Sequence, residues 1–357
     1  MNNILHLVHN LSNSNGIDRY IRNFIESSSD NNIIVAPENK ITDTKDIKAK
    51  IIPIDTLFEI NDIVKEQNIN IFIIHYSGAR SFKNRDDILS YKGKFLSKEG
   101  KPLFTLDYDS NVFSYLDTCF LDCFSNREQK NIKIIVIDHA GYKLPEYANY
   151  GLFDALVSVS KKAQLVNDFF NGFKQVIYPC LASELINNEP VNKPVYANNI
   201  CFGWLGNLSK FDGVIYQNLK EVYGNIDGIT FIFAGEGFLD NEPPNNFKFI
   251  GNTEPSKFFS MIDVFLYPTS IDSFSQAFLE ALSQNKLCLV SNEVKELAEM
   301  FGNAFTFDNH YKLNEMIDSL IYNPISILDI EPFRDKVLEE FSPSEMQKSF
   351  TTLFQEL

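Results

Sequence analysis

The feature that most constrains this chain is an alternation of short β-branched and aromatic runs with stretches of helical periodicity. In the first half the runs fall at 4–8, 33–35, 51–54, 71–74, 103–106, 132–137, 155–159 and 176–178. In the second they fall at 200–205, 230–234, 247–250, 264–267, 287–290 and 304–307. Several are apolar at every position rather than every second one, as expected of strands covered on both faces. Runs of this kind, separated by helical stretches, predict parallel βαβ units and an α/β fold. At 357 residues the chain exceeds what one core usually supports, so two successive doubly wound domains are expected. Ligands of such sheets bind at the carboxyl ends of the strands, and the candidate residues are sought there.

Residues 182–199 lack periodicity and are rich in Asn, Pro, Glu and Ala. They read as a linker between a domain at 1–181 and one at 200–332, with a helical return over about 333–357. The segment 78–130 is too long for a βα connection. It is charged first (Arg80, Lys83, Arg85, Asp86, Asp87), then aromatic and acidic (Asp107, Tyr108, Asp109, Phe113, Tyr115). Two readings stay open: an elaboration that meets an acceptor, or a peripheral helical insertion.

The formal charge of −15 argues against a nucleic-acid partner, which needs a basic face. The charge is unevenly spread: residues 1–180 carry 21 Lys and Arg against 22 Asp and Glu, and residues 181–357 carry 11 against 25. A near-neutral first half suits peripheral contact with an anionic membrane, and an acidic second half equally suits simple solubility. The first ten residues lack the basic and apolar stretches of a signal peptide, and no apolar run is long enough to cross a bilayer. A cytoplasmic protein, working at most at the inner membrane face, is expected. Cys201 and Cys288 sit in apolar runs and read as buried free thiols. Cys119 and Cys123 lack a second pair, so no metal is expected.

Four strand-end segments carry chemistry. Asp272 to Glu280 follows a strand and opens a helix near Ser273, and a helix start favours anions. Carboxylates at Asp272 and Glu280 suit hydroxyls rather than phosphates. The competing reading of the same residues is a capping box between Ser273 and Gln276. The second and third segments are Gly206 to Gly213 and Gly235-Glu236-Gly237, where glycine permits close approach of a phosphate. The fourth, Asn13 to Gly16, is a further phosphate-sized loop or a plain tight turn. His75 and His139 end strands and are favoured over His6, which reads as structural. No hydrolase elbow and no Walker loop is present.

Taken in order, these pieces resemble the retaining GT-B glycosyltransferases, in particular family 4, the bacterial surface-polysaccharide transferases. The resemblance covers nearly the whole chain. It rests on the Gly16 loop, His139, the 154–160 segment, the Gly206 and Gly235 loops, Tyr267-Pro268-Thr269, and an acidic pair spaced D-x7-E where the family reads E-x7-E. It implies two Rossmann-like domains facing each other across a cleft, and metal-independent transfer of a sugar with retention. The donor would be a UDP- or GDP-linked sugar serving as substrate, with no further cofactor. The acceptor would be a glycan or a lipid-linked glycan.

By the same resemblance Glu280 would hold the ribose and Asp272 a sugar hydroxyl. Backbone N–H groups at Ser275, Gln276 and Ala277 would cradle the distal phosphate, and His139 would line the reacting face of the sugar. Gly16, Gly206, Asn207, Gly235 and Glu236 complete the donor side, and His75 is the candidate on the acceptor side. The departures are Asn207 and Asp212, where the family has an arginine and a lysine on the diphosphate, and Ser275, where a glycine is common. Lys210 is the candidate replacement cation. The loss of the usual pair also motivates a second reading, a non-catalytic subunit of the same fold that binds a glycan or a partner transferase. A sugar-nucleotide epimerase of that fold is a third.

Overall fold

A computed structural model describes residues 1–8, 11, 16–54, 59–76, 132–139, 141, 144, 154–187, 190, 199–270, 272–301, 306–322 and 331–357. The 78–130 segment, with Cys119 and Cys123, lies outside these residues, as do His9 and Asn13 to Asn15. The chain divides into two compact units, Met1–Tyr178 with Met346–Leu357, and Pro179–Glu345.

Unit 1 runs β1 (Asn3–Leu7), α1 (Gly16–Ser27), β2 (Asn31–Pro37), β3 (Lys50–Ile54), α2 (Glu59–Glu66), β4 (Ile71–Tyr76), β5 (Lys133–Asp138), β6 (Ala155–Ser158), α3 (Lys161–Val166) and β7 (Phe173–Val176). Its sheet has the order β3-β2-β1-β4-β5-β6-β7, and every pairing is parallel. Unit 2 runs α4 (Ser183–Asn187), β8 (Ile200–Leu205), α5 (Gly213–Tyr223), β9 (Ile229–Ala234), β10 (Phe247–Gly251), α6 (Pro255–Phe259), β11 (Val264–Tyr267), α7 (Gln276–Ser283), β12 (Leu287–Ser291), α8 (Lys295–Met300), β13 (Thr306–Phe307), α9 (His310–Tyr322) and α10 (Glu331–Glu340). Its sheet is β10-β9-β8-β11-β12-β13, again all parallel. The last helix, α11 (Pro343–Glu356), rejoins unit 1 from Met346 onward.

The α/β architecture read from the sequence is thus the observed one, and in both sheets the first strand lies inside, with later strands added on either side. The order reverses between β1 and β4 in one unit and between β8 and β11 in the other. Those are the switch points where open α/β sheets bind ligands. The central strands are buried on both faces: β5, β8, β11 and β12 expose almost nothing, which is why their sequences do not alternate. Helix α1 turns Tyr20, Ile21, Phe24 and Ile25 onto the sheet, and Phe350 of α11 meets Phe24 edge to face at 4.6 Å.

Three boundaries differ from the sequence reading. Residues 183–187 of the expected linker form α4, whose Leu185 is buried and whose Leu185 carbonyl accepts from Gln284 Nε2 at 3.4 Å. The returning segment begins at Met346 rather than at 333, because α10 packs on α7 and Leu181 N–H is bonded to Phe341 O at 2.9 Å within unit 2. The run expected at 176–178 is strand only at its start. The strand is β7, with Phe173 exposed at the sheet edge, and the apolar Ile177 is buried just beyond it.

Candidate functional site

The strand ends of each unit gather one group of polar residues around the switch point. In unit 2 the turns after β8 and β9 touch. Gly206 has φ +146° and Gly235 φ +134°, and a Cβ on Gly235 would stand 1.9 Å from the Gly206 carbonyl. Only glycine fits there. The two turns are joined by Leu208 N–H donating to Glu236 O at 2.7 Å. Glu236 itself accepts from Asn252 Nδ2 at 2.9 Å. Asn207 Oδ1 accepts from Ser209 N–H, opening a short 3-10 turn that carries Lys210.

Across the switch point, Asp272 follows β11. Its Oδ2 accepts from the Tyr267 hydroxyl at 2.6 Å and lies 3.4 Å from Lys210 Nζ, and its Oδ1 accepts from Ser273 N–H at 3.2 Å. The Lys210 side chain is 43% exposed and Asp272 13%. An ion pair so open to water contributes less than about 1 kcal/mol, so Lys210 can leave Asp272 at little cost. Burial, then the charge of Asp272, holds the Tyr267 hydroxyl well above its ordinary pKa, and Glu280 pushes in the same direction. Of the two carboxylates in the D-x7-E pattern, Asp272 is the one hydrogen-bonded to this tyrosine. Trp204 stacks on Tyr267 at 4.6 Å and donates its indole N–H to the Gly206 carbonyl at 3.1 Å, tying this tyrosine to the glycine turn.

Helix α7 starts two residues later than a Ser273 capping box requires. Ser275 is the N-cap, its Oγ accepting from Phe278 N–H at 3.0 Å, and Gln276 donates through Nε2 to the Cys180 carbonyl at 3.0 Å. Gln276 and Ala277 lie in the first turn, where a helix supplies no acceptor for its own N–H groups, and both are partly accessible. Glu280 is fully buried within α7. Asp212, at a position where the resemblance led to a lysine, caps α5 by accepting from Val214 and Ile215 N–H.

In unit 1, His6, His75 and His139 form one line. His6 Nδ1 lies 3.1 Å from His75 Nε2, and His75 Nδ1 lies 2.9 Å from His139 Nε2. His6 Nε2 faces Asn32 Oδ1 at 3.0 Å. Tyr20 meets His139 edge to face at 4.9 Å and Phe24 meets His6 at 5.0 Å, so α1 walls the line. Burial lowers the His6 pKa to about 4 and that of His139 to about 3. His75 is pushed well below 6.5 by burial and then by its two histidine neighbours. Beside His139, Asp138 is completely buried and accepts from Asn167 Nδ2 at 2.8 Å and Gly141 N–H at 3.0 Å, which shapes the turn after β5.

Gly16 is the first residue of α1, and a Cβ there would meet nothing within 4 Å in the described chain. Cys201 and Cys288 are buried free thiols. Among the described residues no group of His, Cys, Asp and Glu is arranged to hold a metal ion, and no helix is long and apolar enough to cross a membrane. Sequence reasoning missed Asn32 and the part His6 plays, because the register that aligns them with His75 is not written in any local motif. It also missed Trp204 and Tyr267 as the brace behind Asp272, for which the strand-end position of both was the available signal.

No protein-family model matches the chain, and no curated protein matches it. Solved structures do. HepE from Anabaena, in complex with UDP and glucose, superimposes over 100% of both chains with a TM-score of 0.68 at 12% identity. A sucrose-phosphate synthase from Thermosynechococcus elongatus aligns with 99% of this chain and 98% of its own at 0.65 and 12%. The lipopolysaccharide outer core galactosyltransferase WaaB aligns over 99% of both at 0.63 and 13%. These likenesses establish the GT-B fold.

Proposed function

We propose that the protein is a glycosyltransferase that takes a sugar from a nucleotide diphosphate donor. One observation carries this reading: glycine turns, an accessible helix start and the Asp272–Lys210–Tyr267 set converge at the switch point of unit 2. A diphosphate needs backbone N–H groups and a cation, and a sugar needs hydroxyl partners; that switch point offers both. The fold shared with HepE, whose structure holds UDP and glucose, supports the same reading.

In this reading Lys210 leaves Asp272 for the diphosphate, and Asp272, still braced by Tyr267, takes a sugar hydroxyl. The first-turn N–H groups of Gln276 and Ala277 meet the distal phosphate. Glu280, enclosed in α7, reaches a ribose only when a neighbouring side chain moves aside. The remaining assignments are proposals of the same standing. They are retention without a metal, a UDP- or GDP-linked hexose, and a glycan or lipid-linked acceptor of a bacterial surface polysaccharide. His139 and His75 would stand on the reacting side, in a cytoplasmic enzyme that meets the membrane peripherally.

The decisive measurement is a thermal-shift and donor-hydrolysis series with UDP- and GDP-sugars. The wild type is expected to gain about 2.7 kcal/mol of stability at a hundredfold excess of nucleotide over Kd. Lys210→Ala is expected to weaken nucleotide binding about tenfold, the worth of one charged contact. The second reading, a non-catalytic subunit, is favoured by Asp212 serving as a helix cap where a phosphate-binding cation would stand. No shift with either nucleotide, and no effect of Lys210→Ala, would sink the enzyme reading.

A further inference from the structure

Asn32, His6, His75 and His139 belong to four neighbouring strands in the order β2, β1, β4 and the end of β5. The register shows how the line is built. Asn32 pairs with Ile4, and His6 lies two residues beyond Ile4. His6 pairs with Ile73, and His75 lies two residues beyond it. His75 pairs with Ile137, and His139 again lies two beyond. Each step is an even number of residues, so all four side chains share one face of the sheet while climbing toward its carboxyl edge. The ring centroids are 5.4 and 5.2 Å apart and the facing nitrogens only 3.1 and 2.9 Å, with interplanar angles of 26° and 19°. The rings therefore meet edge to edge in nearly one plane, which is where imidazole lone pairs and N–H bonds point.

The line also has a direction. Asn32 Nδ2 donates to the Asp30 carbonyl at 2.9 Å, and a carbonyl has no proton to give. Asn32 must then turn its Oδ1 to His6, so His6 donates through Nε2 and is left with a lone pair on Nδ1. That lone pair requires His75 to donate through Nε2, and the lone pair on His75 Nδ1 requires the same of His139. Asn32, His6 and His75 are all at least nine-tenths buried, so water cannot substitute at any link.

We propose that Asn32, His6 and His75 are positioning residues that hold His139 as its Nε2–H form, making its Nδ1 a hydrogen-bond acceptor suited to a substrate hydroxyl and not to a phosphate oxygen. The order of the line is set by the sheet; its use on a sugar or acceptor hydroxyl rests on the transferase reading above. Neutral rings throughout agree with the lowered pKa values of all three histidines. A proton arriving at His139 Nδ1 leaves the line intact, whereas one arriving on Nδ1 of His6 or His75 sets two N–H groups against each other.

The test is the long-range proton–nitrogen spectrum of the full chain labelled at histidine, near pH 7.5, with rings assigned by single substitution. The expected result is His6, His75 and His139 each protonated on Nε2 alone. Asn32→Leu removes the anchor and is expected to give a tautomer mixture at His139. The same variant should lower kcat about five- to tenfold, as for one lost hydrogen bond, with donor KM within about twofold. Asn32→Asp keeps an acceptor toward His6 and is expected to restore the single tautomer. An Nδ1–H form of any of the three in the wild type overturns the proposal, as does an unchanged His139 signal in Asn32→Leu. Should Asn32→Leu not fold, the wild-type spectrum decides alone. If the spectrum is as expected and no nucleotide sugar is bound or turned over, the lock stands and the transferase reading falls.

Discussion

Gly235 and Gly206 show how little freedom a single position has here. With φ at +134° and a backbone oxygen where its Cβ would stand, Gly235 has no alternative residue. Gly235→Ala is expected to cost unit 2 about 3 kcal/mol or more, read as a lowered urea midpoint by Trp204 fluorescence. A midpoint within error of the wild type would mean that the two turns do not touch. Residues whose chemistry is local were legible in the sequence: Asp272 after a strand, Lys210 in a glycine-bearing loop, His139 at a strand end. The partners that give them meaning were not. Tyr267 reaches Asp272 across a turn, and His6 reaches His75 across 69 positions by strand register. A lone histidine inside an apolar run carries no local sign of what lies beside it.

At the scale of elements, helix α7 depends on its first residue. Ser275 closes the helix start on Phe278 N–H, so Ser275→Ala is expected to cost about 1 kcal/mol of unit 2 stability. An unchanged stability in equilibrium urea unfolding would contradict the cap. The same variant leaves the first-turn N–H groups of Gln276 and Ala277 in place, so nucleotide binding should fall less than in Lys210→Ala. Most strands could be read because burial on both faces writes itself as unbroken apolar runs, as in β8 and β11. Elements set by tertiary contact could not. Helix α4 is five residues long, too short for periodicity, and stays folded because Leu185 is buried and its carbonyl is bonded by Gln284. Helix α10 belongs to unit 2 because it packs on α7, which nothing in its own sequence declares.

At the scale of the whole molecule, three histidines make unit 1 acid-sensitive. Unfolded imidazoles titrate near 6.5, but in the fold His6 and His139 do so at about 4 and about 3, with His75 also lowered. Below pH 6.5 the unfolded chain thus binds protons that the folded unit refuses. The stability is fully present above 6.5 and is lost as pH falls toward 4 and below, by up to about 1.4 kcal/mol per pH unit for each histidine. Hydrogen-exchange protection of the β1 and β4 amides should decline between pH 6.5 and 5; flat protection would show that the rings charge without penalty.

Unit 1 is also the unit whose sequence is split. Its closing helix comes from Met346–Leu357, while unit 2 is the unbroken stretch Pro179–Glu345. During synthesis the order of completion is therefore reversed. The second unit has all its residues first, and Phe24 of the first stays uncovered until Phe350 has been added.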